Sequence, residues 1–132
     1  MARPASRYPT ELELQVLKIL WRDGECPAMD VRDSLAEERD RDIARTSVIT
    51  TLNVMVDKGL VNRRQKGRAH LFSPAVLQDE VSQGMLGDLL DRVFDGSAEA
   101  LLLNLLESEH VDEDEHRALR RLINRKRREG EK

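Results

Sequence analysis

The sequence is poor in the residues that most protein chemistries need. A single cysteine, Cys26, among 132 residues excludes a disulfide framework and a four-thiolate metal site. Only four residues are aromatic, and hydrophobic residues make up 39%, so one thick core is not expected. Every apolar run is far too short to cross a bilayer, and the opening MARPASRYPTELELQ lacks the apolar stretch of an export signal. Absent too are a nucleophile–base motif, a phosphate loop and a zinc signature, which argues against an enzyme. These absences leave the expectation of a soluble cytoplasmic protein with no cofactor and no metal.

What the chain does have is charge, at 36% of residues, and it is unevenly placed. The net charge is -3, yet residues 43–75 carry six basic side chains (Arg45, Lys58, Arg63, Arg64, Lys66, Arg68) against Asp57 alone. Both flanking segments are acidic. A basic block in an acidic chain is either a solvated face or an anion-binding surface, and the geometry beneath it decides between them.

Thr10-Glu11-Leu12-Glu13 has the form of a capping box, and Leu12, Val16, Ile19 and Leu20 follow at helical spacing, predicting a helix over 10–22. Pro27 opens a second helix with Val31 and Leu35 on one side; the charged stretch 36–42 reads as its end and a loop. A third helix over 44–58, closed by Gly59, turns Val48, Leu52, Met55 and Val56 inward. Its opposite side carries Thr46, Thr50, Asn53 and Asp57, with Ser47 beside them, a polar set that helix propensity does not explain. Two short strands then flank Lys66-Gly67-Arg68, a hairpin with its basic residues at the tip and Leu71 and Val61 returning to the core. Cys26 falls in a loop, and Trp21 packs at the end of the first helix. Helices over 76–94, 98–109 and about 112–128 complete the chain, the last two capped by Ser97 and Asp112.

Three helices and a hairpin, with a polar third helix and a cationic turn, is the order of a winged helix-turn-helix domain. The fold expected is therefore mostly α with a small β-hairpin, a winged-helix domain over 1–75 followed by a helical dimerisation region over 76–132. Hydroxyl and amide side chains can read base edges in the major groove, so Arg45, Thr46, Ser47, Thr50 and Asn53 form the candidate reading set. Arg63, Arg64, Lys66 and Arg68 on the hairpin would hold the phosphate backbone. Beyond it, Leu101-Leu102-Leu103-Asn104-Leu105-Leu106 is leucine on nearly every side, and such a helix must be covered. About 57 residues of thin helix offer too little core for that, so a second copy is the expected cover. Leu86, Leu89, Leu90, Phe94, Leu101, Leu102, Leu105, Leu119, Leu122 and Ile123 are the candidate interface residues.

The segments Thr10–Trp21, Thr46–Asn53, Asp57–Val61, Lys66–His70 and Phe94–Ala98 together resemble the penicillinase repressor family of bacterial transcriptional repressors, in an order and spacing that cover nearly the whole chain. The resemblance implies a homodimer on double-stranded DNA carrying an inverted-repeat operator. It also implies release by a sensor protease that cuts inside the helix over 97–109. The matching bond is Asn104–Leu105, where Leu105 replaces the family's Phe. Copper-responsive members carry a cysteine cluster near the C-terminus that this chain lacks. His110 and His116, six residues apart, read as exposed helix-cap histidines rather than metal ligands. Two other readings are a winged helix docking an acidic protein, and a DNA-binding regulator with a small-ligand pocket.

Overall fold

The computed structural model describes residues 8–130; the first seven residues, part of the segment read above for an export signal, lie outside them. The elements in order are α1 (Glu11–Asp23), β1 (Cys26–Pro27), α2 (Ala28–Arg39), α3 (Arg45–Asp57), β2 (Val61–Lys66), β3 (Ala69–Pro74), α4 (Gln78–Val93), α5 (Ala98–Glu107) and α6 (Glu113–Gly130). The chain divides into two compact units, residues 1–85 and 86–132.

Capping chemistry sets the first unit's helix ends. Thr10 Oγ1 accepts from the Glu13 backbone N–H at 3.2 Å, and Glu13 Oε1 accepts from the Thr10 N–H at 2.9 Å. Glu13 is also buried, and Lys58 Nζ donates to both of its carboxylate oxygens at 3.0 and 3.1 Å. The start of α1 is thus tied to the residue that follows α3. That residue is succeeded by Gly59 at φ 79°, after which the Leu60 N–H donates back to the Met55 carbonyl, the left-handed exit expected for this helix. Asp40, also at positive φ, ends α2 at Arg39, inside the charged stretch.

The core joins Val16, Leu17, Ile19 and Leu20 of α1, Val31 and Leu35 of α2, and Val48, Leu52 and Met55 of α3, all buried. Val56, expected inside, is only half-buried at its edge. The hairpin places Phe72 in the core beside Val61, and Leu71 stays half-buried, a correction to the expected inward residue. The register explains it. Val61 pairs with Pro74 and Arg63 with Phe72, so Phe72 shares Val61's face while Leu71 turns to the other. Nor does Cys26 lie in a loop: β1 adds a third strand to the sheet, pairing Cys26 with Phe72 and Pro27 with Leu71 in the order β1-β3-β2.

The first unit runs ten residues past the expected boundary at 75, into α4. Val81 is buried, and the Trp21 indole N–H donates to the Val76 carbonyl at 3.0 Å. Gly84, unfavourable inside a helix, sits where a Cβ would lie 2.7 Å from the Tyr8 ring.

In the second unit Ser97 caps α5 through the Ala100 N–H, and Asp112 accepts from the Glu115 N–H at the start of α6, both as the sequence indicates. Helix α5 stops at Glu107, two residues short of expectation, where Ser108 leaves helical geometry. No residue of α5 or α6 is buried.

Candidate nucleic-acid interface

Helix α3 presents its polar side outward. Arg45, Thr46, Ser47 and Thr50 are exposed and Asn53 is half-buried. The three inward residues Val48, Leu52 and Met55 fix that orientation, since a helix buried on one stripe must show the other. Ala44 caps the helix with no side-chain hydrogen bond, so the first-turn N–H groups stay available to an anion. Arg32 Nε donates to the Ile43 carbonyl at 3.0 Å and fixes the segment that enters α3.

The hairpin sends its adjacent arginines to opposite sides, as strand alternation requires. Arg63, across from Phe72, points back toward α3 and donates from Nη1 to Asn53 Oδ1 at 2.7 Å. Arg64, across from Leu71, meets Glu25 through two parallel bonds, Nε to Oε2 at 2.7 Å and Nη2 to Oε1 at 2.6 Å. Those bonds hold the Glu25 carboxyl below the usual carboxylate range and raise the Arg64 guanidinium. Lys66 and Arg68 at the turn are exposed and make no ion pair among the described residues. The four wing residues therefore differ: Arg63 is tied to α3, Arg64 to Glu25, and Lys66 and Arg68 face solvent.

Between α3 and the hairpin lies a cleft of about 310 Å³. Ile49 and Phe72 supply apolar lining, and Arg45, Asn53, Arg63, Arg68 and His70 supply polar groups. It gathers the first and last residues of the reading set, Arg45 and Asn53, and two wing residues along a single concave, cationic face. No local pattern marks Glu25 or Arg32 as supports, because each acts on a residue distant in the chain.

The candidate interface residues of the second unit fall in two groups. Leu86, Leu89, Leu105, Leu122 and Ile123 are exposed; Leu90, Phe94, Leu101, Leu102 and Leu119 are half-buried. Asn104 is exposed, beside Leu105 within α5. Among the described residues no group of His, Cys, Asp and Glu is arranged to hold a metal ion, and no helix is long and apolar enough to cross a membrane.

Residues 9–125 match the penicillinase repressor family. The transcriptional regulator BlaI of Mycobacterium tuberculosis is 35% identical over 115 residues, spanning 86% of this chain and 80% of that protein. The penicillinase repressor of Bacillus licheniformis is 22% identical over 114 residues, spanning 86% and 88%. Among solved structures, RosR of H. salinarum shares the fold, with a TM-score of 0.52 at 17% identity over 92% of this chain and 96% of its own.

Proposed function

The chain belongs to the penicillinase repressor family of DNA-binding transcriptional repressors, which are not enzymes, and we propose that it represses as a cytoplasmic homodimer on an inverted-repeat operator. The observation that carries this reading is the shared cationic face of α3 and the hairpin. Thr46, Ser47 and Thr50 stand on the exposed side of a helix whose other side is locked in the core, the placement needed to reach base edges. Lys66 and Arg68 grip phosphate beside them. Arg45, at the first turn of α3, adds a guanidinium next to uncapped N–H groups.

Residues 1–75 form the DNA-binding part in this reading, and 76–132 the dimerisation part. Apolar side chains exposed on the single chain, Leu86, Leu89, Leu105, Leu122 and Ile123, support a second copy as their cover. With two readers joined, a palindrome is the matching target. A sensor protease acting at Asn104–Leu105 would release the operator by dividing α5.

Selection of bound fragments from genomic DNA, followed by titration of a recovered site against random duplex over a salt series, tests the proposal. Enrichment of a palindrome, bound at least about 10³-fold more tightly than random duplex, is the expected result. Equal affinity for both duplexes would reject it.

A further inference from the structure

We infer that Arg63 sets base specificity through Asn53, by holding the amide oxygen so that the NH₂ end is the one this position of α3 offers to the DNA. The inference rests on the DNA-reading role of α3 proposed above. Arginine has no acceptor, so the Asn53 atom 2.7 Å from Arg63 Nη1 has to be the oxygen, and the orientation of the amide is settled by chemistry. The NH₂ end is then the one that the hairpin does not engage. Asn53 is seven residues from Thr46 and three from Thr50, on the same side of α3, so its free end lies with the reading set.

Arg63 is well placed for this task and poorly placed for another. Its cross-strand neighbour is the buried Phe72, and Val61 on the same strand face is buried as well, so the side chain leaves the hairpin on the side facing the core helices. Among the described residues it has no carboxylate partner, unlike Arg64, and Asn53 is the group that orients it. The link also ties wing to helix, so the amide keeps one orientation as DNA approaches.

The consequence is a stated base preference. An asparagine with both ends free pairs with adenine by accepting from N6 and donating to N7. Arg63 occupies one of the two lone pairs of the Asn53 oxygen and places its guanidinium on that side, so the adenine pairing, which needs the same oxygen, is disfavoured against guanine, whose O6 and N7 both accept from the NH₂. Freeing the oxygen should restore the adenine pairing. Asp at this position keeps the acceptor for Arg63 but loses the donors, and should favour cytosine N4–H₂ instead.

Selection from duplexes randomised at each operator base pair, run on the full chain and on Arg63→Ala, Arg63→Lys and Asn53→Asp, tests this. For the unaltered protein one position should prefer guanine over adenine by about 5- to 150-fold, the range of one base-edge pairing. Arg63→Ala should move that position to adenine, and Asn53→Asp should move it to cytosine. Arg63→Lys, whose ammonium also only donates, should retain guanine. Arg63 is exposed and Asn53 half-buried, outside the core, and matching thermal unfolding curves would confirm the fold. A base profile of Arg63→Ala identical to the unaltered protein, or a uniform loss on all four bases, would overturn the inference; the second would make Arg63 a phosphate grip. An unaltered protein with no base preference at any position would instead remove the DNA-reading role itself.

Discussion

At the scale of the residue, position on strand or helix decides what an identical side chain can do. Arg64 and Arg68 are both exposed arginines of the hairpin, yet Glu25 holds one and leaves the other to solvent. Lys66→Glu with Arg68→Glu should therefore weaken binding to every duplex alike and flatten the salt dependence, because each lost phosphate contact removes nearly one unit of slope. A titration of random and operator duplex between about 50 and 200 mM salt reads both effects. Thr50→Ala should behave in the opposite way, costing about 1–3 kcal/mol on the operator and little on random DNA, since the proposed reading assigns it a base edge and not the backbone. The Arg64–Glu25 pair has a different signature. Arg64's hydrogen bonds lower the Glu25 carboxyl, so its contribution is present above the ordinary carboxylate value of 4.5 and is lost as pH falls through the depressed one. Above that window the hairpin's anchorage to the segment before β1 is independent of pH.

At the scale of the element, the stabilising contacts lie where helices end or approach closely. Lys58→Met would leave the buried Glu13 carboxylate with the Thr10 N–H alone, and should cost about 3 kcal/mol in a urea unfolding experiment, the low end for a broken buried pair. Gly84→Ala should be destabilising despite alanine's better helix propensity, because the new Cβ meets the Tyr8 ring; in a Tyr8→Ala background the same change should be stabilising by up to about 1 kcal/mol. These two devices differ in how legible they are. The capping box, the Gly59 exit and the inward stripe of α3 follow from local spacing and were readable in the sequence. So was the polar side of α3, because an amphipathic helix that hides Val48, Leu52 and Met55 has only one way to face. By contrast, β1 has two residues and no period, and its existence depends on a free edge of β3. The choice of Phe72 over Leu71 hangs on a one-residue register, which flips every side chain of a strand. Glu25, Arg32 and Lys58 act on partners 39, 11 and 45 residues away, and no local pattern records such pairings.

On the scale of the whole molecule, the proposed dimer requires a second copy to cover the second unit, and truncation of that unit is the decisive experiment. Its ten acidic side chains between residues 86 and 116 face only Arg92 in that stretch, whereas 117–128 carries seven basic residues and no acid. On α6 the apolar Leu119, Leu122 and Ile123 form one stripe, with Arg117, Arg121 and Arg128 on the opposite side. A second copy could thus cover the leucines of α4 and α5 with the α6 stripe and set unlike charges at the rim. Ending the chain after Asn104 removes Leu105, the whole of α6 and those seven cations together. Each buried leucine contributes about 1.5–3 kcal/mol, so losing the stripe of α6 and Leu105 should reduce the protein to a monomer in sedimentation at micromolar concentration. The winged-helix unit lies entirely before the cut and keeps its core, so binding to a half-site should survive. Affinity for the full palindrome should fall by about 10²- to 10⁴-fold, the gain that joining two readers provides. Proteolysis of the intact protein would need α5 to open first, because Asn104 and Leu105 lie inside the helix and a protease requires an extended chain. A truncated protein that still dimerised and held the palindrome at full affinity would exclude division of α5 as the means of release.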